Sequence, residues 1–344
     1  MSHNVTTSSV NDIVIRTVFS GNDPIRFDAT SANSAVTVHD TATPSAIISP
    51  KKAILLLLTF QKAPSINGSS MLLLPGGTIF YLVQTLSSTM KHLTVNDPTR
   101  SLLQHLAARY ETVAFLDGDP SWWMHQVQGD ENREATAFVA SVLSYGSRAQ
   151  FMPKIGHLVE LSGGAMHRWL AEGAYAADFT SGDTRCYYRL YTRDAMRRFF
   201  DAYSAMIATH GTMGAFIGRR DGLEAVEAIC RWFASRGAAV VPKDTTSACK
   251  RVCMFLRWMV RSGSPVDLGL WADRIDRRTL IMPMDTHVVS EAINLGLLTS
   301  RSASMAAALN LTAAMSQVFP DDPLRGDFAL FGYGVQKQTE QSPI

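Results

Sequence analysis

Two short segments of this sequence place chemically useful side chains at predicted helix starts. The segment SACKRVCMFLRWMVRSG (247–263) carries Lys250, and the segment IMPMDTHVV (281–289) carries Asp285. A lysine amine is a nucleophile when it is uncharged, and partial burial near the positive end of a helix dipole favours the uncharged form. A nearby carboxylate stabilises positive charge that develops during a reaction. The two residues therefore predict a nucleophile with an electrostatic partner.

Each residue also has an ordinary structural interpretation. Lys250 could be a solvated cation on a helix surface, and Asp285 or Thr286 could cap the helix that begins at His287. The two charges could also form an ion pair whose only role is structural. These alternatives differ in geometry: chemistry needs both groups beside an open cleft, whereas a structural pair would be buried and in contact.

The spacing around Lys250 predicts one amphipathic helix with two distinct faces. Lys250, Met254, Arg257 and Arg261 follow one another at steps of four, three and four residues, and so they predict a basic face. Ser247 is expected to cap this helix and Gly263 to end it. The apolar face is formed by Val252, Phe255, Leu256, Met259 and Val260.

The elements around these two segments are also predicted to be helical. From about residue 94 onward no strand alternation persists, and neither a G-x-G-x-x-G nor a G-x-x-x-x-G-K-[ST] motif occurs. The sequence therefore predicts an all-α domain over 90–335, followed by a tail over 336–344. Its later helices are expected at 131–145, 153–163, 164–174, 192–209, 221–236, 249–262, 286–298 and 302–317.

The first 89 residues differ from the rest in composition. They contain no Glu, nine charged residues and 24 Ser or Thr, which leaves few signals for a buried core. Alternating pieces such as NDIVIRTVF and AVTVHD could be short strands. We expect a disordered or weakly folded extension over 1–89, or else a natural start at Met90 with the preceding residues not native.

The overall composition limits the function classes. The 344 residues carry a formal net charge of +2, with 46% hydrophobic and 18% charged residues, which is typical of a globular protein. The four cysteines form no C-x-x-C pair, so neither a disulfide scaffold nor a cysteine-rich metal centre is expected. No apolar run reaches the roughly 18 residues of a membrane span. We expect a cytoplasmic protein, nucleoid-associated if bacterial, with no metal, cofactor, membrane or obligate protein partner.

Two regions carry local positive excess. Residues 185–220 contain seven Arg and two Asp, and residues 250–278 contain seven Lys or Arg and three Asp. Basic helices with aromatic residues nearby suit a phosphate backbone, although solvated helix faces have the same composition. Nucleic acid is therefore one candidate partner.

Three stretches together resemble the helix-hairpin-helix DNA glycosylase superfamily. They are AFVASVLSYGSRAQFMPKIGHL (137–158), CKRVCMFLRW around Lys250, and MPMDTHVV around Asp285. The 35 residues between Lys250 and Asp285 are most similar to the spacing of the archaeal 8-oxoguanine glycosylase branch. Residues from about 95 to 335 also resemble a widespread bacterial protein family of unknown function, through stretches such as VDLGLW, LGLLT and FPDDPLRGDFALFGYGV.

The resemblance implies a two-lobed helical fold and a role for each matching residue. Lys250 matches the lysine that attacks the sugar C1′ as the base leaves, and Asp285 matches the aspartate that steadies the positive charge on that sugar. Tyr145 lies where the superfamily places a residue near the gap or the flipped base. Arg148 and His287 could contact phosphate or the opposite strand.

The residues at the start of the Lys250 helix complete the expected contact surface. Ser247, Arg251 and Arg257 are predicted to bind nucleic acid. The resemblance then implies a DNA N-glycosylase or glycosylase/AP lyase, which is a hydrolase or lyase of base-excision repair acting on duplex DNA with a damaged base. The alternative is a non-catalytic nucleic-acid-binding protein on the same scaffold.

The sequence also departs from the superfamily pattern. The usual Gly-rich hairpin before the lysine is replaced by VVPKDTTSACK, which puts the phosphate contact of that hairpin in doubt. Thr246 and Ser247 at the helix start could replace it through the helix N-terminus. The four-cysteine cluster of the endonuclease III branch is missing, so no iron–sulfur centre is expected.

Overall fold

The computed structural model describes secondary structure for residues 94–341 and for seven short strands before them, with side chains for residues 94–337. The chain divides into two units, Met1–Leu93 and Thr94–Ile344. The predictions that residues 1–89 are disordered or not native fall mainly on residues outside this description.

The described strands of the first unit pair antiparallel in three small sheets. Strand β1 (Ser9–Val10) pairs with β2 (Ile13–Val14), and β6 (Ser70–Leu73) pairs with β7 (Ile79–Leu82). The third sheet has the order β3 (Arg26–Asp28), β4 (Val36–Asp40) and β5 (Thr43–Ile48). Strands β2 and β4 lie within the alternating pieces NDIVIRTVF and AVTVHD, so strands there were correctly anticipated.

The second unit is mainly helical, as predicted. Its described part contains one hairpin, formed by β8 (Cys186–Tyr188) and β9 (Tyr191–Thr192), and twelve α-helices. The helices are α1 (Asp97–Tyr110), α2 (Trp122–His125), α3 (Asp130–Leu143), α4 (Arg148–Leu161), α5 (Met166–Ala171), α6 (Arg193–His210), α7 (Met213–Ile217), α8 (Gly222–Ala234), α9 (Lys250–Val260), α10 (Thr286–Asn294), α11 (Met305–Val318) and α12 (Arg325–Gln341).

Some element boundaries differ from the sequence predictions. Helix α4 begins at Arg148 rather than at Pro153, which lies inside the helix. The short helices α2 and α7 and the β8–β9 hairpin were not predicted, because four or five residues carry too little periodicity to be recognised. Helix α12 was also not among the predicted helices, and it extends to Gln341, within the predicted tail. Within residues 94–341, no helix combines the length and apolar character needed to cross a lipid bilayer.

Helices α3 and α9 form the centre of the second unit and fix the candidate site. Residues 134–143 of α3 and residues 252–260 of α9 are buried. Phe138 of α3 packs against Phe255 of α9 with ring centroids 4.9 Å apart, and burying each such ring stabilises the fold by about 1.5–3 kcal/mol. Trp258 and Trp271 are also buried. Because α9 is enclosed along its length, its first residue is held in a fixed place.

Candidate functional site

Lys250 is the first residue of α9, and its side chain is 28% exposed. The residue before it, Cys249, is the N-cap and adopts a left-handed backbone with φ of 47°. No side chain caps this helix, so the predicted Ser247 cap is wrong. The first amide groups of α9 are therefore not held by a side-chain cap.

Asp285 is the N-cap of α10, and its carboxylate has two partners. Oδ1 accepts a hydrogen bond from the His287 backbone N–H at 3.0 Å, which confirms the predicted cap. Oδ2 lies 3.1 Å from Nζ of Lys250, with the Asp285 side chain 20% exposed. Burial raises the pKa of Asp285, but the charge of Lys250 and the bonds from His287 and Lys250 outweigh it, so the pKa lies below its ordinary value.

The other predicted basic residues of α9 point into the protein. Arg257 and Arg261 are only 3% and 2% exposed. Arg257 pairs with Asp267, with Nε to Oδ1 at 3.1 Å, and also with Asp327. The prediction that Arg257 binds nucleic acid is therefore wrong. The sequence shows a row of basic residues on one helix face but not the buried carboxylates that pair with them.

Asp327 connects this buried network to the candidate pair. It is the third residue of α12, 5% exposed, and bonded to Arg257. Burial raises its pKa, against the lowering effect of Arg257, and the charges of Asp285 and Lys250 also act on it. The Asp327 carboxylate is thus used in an ion pair within the first turn of α12.

A tyrosine cluster adjoins the start of α9. The Arg251 side chain donates to the Val142 carbonyl and to the Tyr191 hydroxyl, and it lies over the Tyr145 ring with 5.3 Å to the centroid. Tyr145 also packs edge-on against Tyr188. Arg251 and Tyr145 thus lie together beside the start of α9, and both are engaged in internal contacts. Their binding of nucleic acid remains a prediction.

The tip of the β8–β9 hairpin lies on this cluster and was not recognised in the sequence. Arg189 has a left-handed φ of 50° and lies over the Tyr145 ring at 5.5 Å, and Leu190 is 86% exposed. The Leu190 N–H donates to the Tyr145 hydroxyl at 3.3 Å. The run YYRLY, with aromatic residues on both sides of Arg-Leu, is the only signal in the sequence that could have indicated it.

Arg148 and His287 meet on a common aromatic ring. The Arg148 guanidinium lies 5.4 Å from the centroid of Phe331 and 3.7 Å from a carboxylate oxygen of Asp119. The His287 ring packs edge-on against Phe331 at 5.7 Å. Since the His287 backbone bonds Asp285, these contacts bring Arg148 and His287 into the neighbourhood of the candidate pair. Both side chains retain partial exposure.

Ser247 is exposed three residues before Lys250, in the connection between α8 and α9. It forms an antiparallel bridge with Ser304, the N-cap of α11. It therefore lies at the surface near the candidate pair without capping α9.

Two open cavities, of about 630 and 670 Å³, lie at the far end of α9. They share Ser262, Arg277 and Asp321. Val260 lies ten residues after Lys250, or roughly 15 Å along the helix. Arg and Asp supply seven of the eleven residues that line the first cavity and five of the fourteen that line the second. Several of them form ion pairs with one another, so the Lys250–Asp285 pair is taken as the candidate site. Within residues 94–337, no three His, Cys, Asp or Glu side chains converge to hold a metal.

Comparison with known proteins supplies a family for most of the second unit. Residues 119–336 match the family described as "Protein of unknown function (DUF2400)". No curated protein and no solved structure matches the chain. The matched range contains Lys250, Asp285 and the residues that surround them.

Proposed function

This chain belongs to the DUF2400 family, described as having unknown function, and from its own site we propose that it is a DNA glycosylase or glycosylase/AP lyase. In this proposal the second unit has the two-lobed helix-hairpin-helix glycosylase fold that the sequence resembles. The observation that carries the proposal is the partly exposed contact between Lys250 Nζ and Asp285 Oδ2 at 3.1 Å.

The exposure of this pair distinguishes it from the buried ion pairs that Arg257 and Arg261 of the same helix form with Asp267. The side chains of Lys250 and Asp285 are 28% and 20% exposed, against 4% and 0% for Arg257 and Asp267. Both groups stand at helix starts, where backbone N–H groups and the helix dipole favour an approaching phosphate. A nucleophile, a carboxylate and an anion-binding backbone at one place fit cleavage of a sugar–base bond beside a phosphate.

The proposed chemistry begins with transfer of a proton from Lys250 to solvent, which leaves Asp285 as a carboxylate. The free amine attacks C1′ of the sugar, while the C1′–N bond breaks and its electron pair leaves with the protonated base. The Asp285 carboxylate stabilises the positive charge that builds on the sugar in between. Opening of the sugar ring then gives an iminium between Nζ and C1′, which is the Schiff base that permits strand cleavage.

The reacting base must leave the helical stack before C1′ can be reached. The exposed residues around the pair suit this step. Arg189 and Leu190 lie over Tyr145 at the tip of the β8–β9 hairpin. Arg148 and Ser247 offer polar groups to the DNA backbone. In this proposal Leu190 enters the stack, as apolar side chains do in kinked duplexes, while Tyr145 supports it from beneath.

A second candidate is a nucleic-acid-binding protein on the same scaffold without the chemistry. The closed ion pair favours it, because an amine held as a cation beside a carboxylate is not a nucleophile. The lack of glycine between residues 238 and 249 also fits weaker anchoring of a phosphate.

Borohydride trapping with the full chain separates these candidates. Duplexes bearing an abasic site, 8-oxoguanine, uracil or an oxidised pyrimidine are mixed with the wild-type protein, Lys250→Ala and the matched control Lys243→Ala, which removes an exposed lysine nearby. A covalent adduct that requires Lys250 but not Lys243 supports the enzyme. Salt-sensitive binding without any adduct supports the second candidate, and absence of binding overturns both.

A further inference from the structure

Two buried cysteines lie in contact immediately before Lys250, and the proposed chemistry does not use them. Sγ of Cys230, on α8, is 3.8 Å from Sγ of Cys249, the N-cap of α9. Both are free thiols with at most 3% exposure. We propose that Cys230 and Cys249 form an oxidative modification site, at which a hydroperoxide converts the two thiols into a disulfide.

The surroundings make Cys249 the nucleophilic member of the pair. It lies at the N-terminus of an eleven-residue helix and beside Arg251, a setting that stabilises thiolates. The hydrogen bond from Cys230 lowers the pKa of Cys249, with further lowering by Ser247 and Arg251 against the raising effects of burial and Asp244. The same hydrogen bond and burial raise the pKa of Cys230. Either thiol can donate in the contact between them. The position of Cys249 at a helix start makes it the attacking sulfur in this proposal, and Cys230 is the thiol that closes the disulfide.

The proposed reaction balances with hydrogen peroxide as the oxidant. The Cys249 thiolate attacks one peroxide oxygen, the O–O bond breaks, and the departing hydroxide takes a proton to become water. This step leaves a sulfenic acid on Cys249. The Cys230 sulfur then attacks the Cys249 sulfur, the S–O bond breaks, and the oxygen leaves as a second water with the Cys230 proton. Each sulfur has lost one electron and the peroxide has gained two.

The pair is covered by a thin surface segment rather than by the core alone. Lys243, Asp244, Thr246 and Ser247 are exposed, and the Cys249 thiol donates to the carbonyl oxygen of Asp244 in that segment at 3.2 Å. This bond must break when Cys249 reacts. A local opening of this segment would admit a small oxidant. A disulfide needs a sulfur separation of about 2.05 Å, so the two sulfurs must approach by roughly 1.8 Å from their present contact. The bond would tether α8 to the residue that precedes Lys250.

The two other cysteines supply internal controls in the same chain. Cys186 is exposed, and its sulfur bonds the Arg189 carbonyl, so it can be oxidised but has no neighbouring thiol in the described contacts. Cys253 is buried one turn after Cys249, and its thiol donates to the Ala248 carbonyl. Burial raises the pKa of Cys253, which makes it the least reactive thiol.

Trypsin separates all four cysteines, which makes the test direct. The expected peptides are CYYR (186–189), DGLEAVEAICR (221–231), DTTSACK (244–250) and VCMFLR (252–257). The native full chain is treated with hydrogen peroxide, its remaining thiols are alkylated, and the digest is analysed by mass spectrometry without reduction.

The expected product is DGLEAVEAICR linked to DTTSACK, formed at a rate independent of protein concentration and lost after reduction. Cys249→Ser abolishes the link, while Cys186→Ser leaves it unchanged. The wild-type experiment alone decides the matter if a variant does not fold. Oxidation of the exposed Cys186 shows that the peroxide has acted. The proposal is overturned if Cys230 and Cys249 can still be alkylated at that point, or if Cys249 is linked to Cys253 instead.

Discussion

Lys250 and Asp285 meet between the first turns of two helices, with Nζ 3.1 Å from Oδ2, while Oδ1 of the same carboxylate caps α10. The cap ties the carboxylate to the backbone of His287, so its position does not depend on Lys250. If the Lys250 amine moves away to react, the Asp285 carboxylate therefore stays in position at the start of α10. A pair held only by two flexible side chains would lack this property.

Substitution of Asp285 separates its two roles. Asp285→Asn keeps an oxygen that can cap α10 but removes the charge, whereas Asp285→Ala removes both. We expect the alanine variant to have a free energy of unfolding about 1 kcal/mol below that of the asparagine variant. Both variants should trap DNA roughly 100- to 1,000-fold more slowly than the wild type. Urea unfolding and single-turnover trapping measure the two effects, and undiminished trapping by Asp285→Asn would exclude the charge from the chemistry.

The lowered pKa of Asp285 predicts how stability depends on pH. A carboxyl whose pKa is lower in the folded state than in the unfolded chain stabilises the fold above its ordinary value, which is 3.8 here. That contribution is lost as the pH falls through the folded-state pKa. The difference in unfolding free energy between the wild type and Asp285→Asn should therefore be constant from about pH 5 to 7 and shrink below about pH 4. Urea titrations across this range test it, and a difference that grows on acidification contradicts the assignment.

The spacing of apolar residues in the sequence predicted most of the longer helices. It did not predict which residues pack or pair against each helix face. The apolar spacing of Val252, Phe255 and Met259 correctly predicted α9 and its buried side, because that spacing directly reflects the helix repeat. The opposite face was misread: Arg257 and Arg261 are satisfied by carboxylates that lie from 6 to 150 residues away in sequence. Most of these partners are long-range, and helical spacing on one segment carries no information about them.

The candidate pair was predictable because both residues occupy helix starts, which leave local signals. Asp285 stands directly before an apolar helical pattern, and Lys250 stands at the start of one. The surroundings of Tyr145 were not predictable in the same way. Its ring lies beneath a hairpin of three- and two-residue strands, too short for alternation to be seen. The exposed Leu190 was therefore missed.

Arg257 and Arg148 should respond to substitution in opposite ways. Arg257→Ala leaves the buried carboxylate of Asp327 without its arginine and removes one of the two arginines that pair with Asp267. We expect a loss of about 3–5 kcal/mol in unfolding free energy. Arg148→Ala removes a contact of 3.7 Å between a 41% exposed arginine and Asp119, which keeps its hydrogen bonds from Ser121. This change should alter stability by less than about 1 kcal/mol.

Binding measurements complete this comparison. Arg148→Ala should weaken duplex binding and reduce the slope of log affinity against log salt by about one, as expected for one lost phosphate contact. Arg257→Ala, measured where it remains folded, should leave that slope unchanged. A reduced slope for Arg257→Ala and an unchanged slope for Arg148→Ala would mean that Arg257, and not Arg148, contacts the DNA.

Leu190 projects from the β8–β9 hairpin with 86% of its surface exposed, so its truncation should leave the fold intact. We expect Leu190→Ala to change the unfolding free energy by less than about 0.5 kcal/mol. If the side chain enters the base stack, the same variant should trap a duplex with a paired damaged base several-fold more slowly. The loss should be smaller on a pre-formed abasic site, where no base must be unstacked. Val113→Ala, at a position 67% exposed, is the matched control, and a loss no larger than that of Val113→Ala would remove Leu190 from the proposed DNA contact.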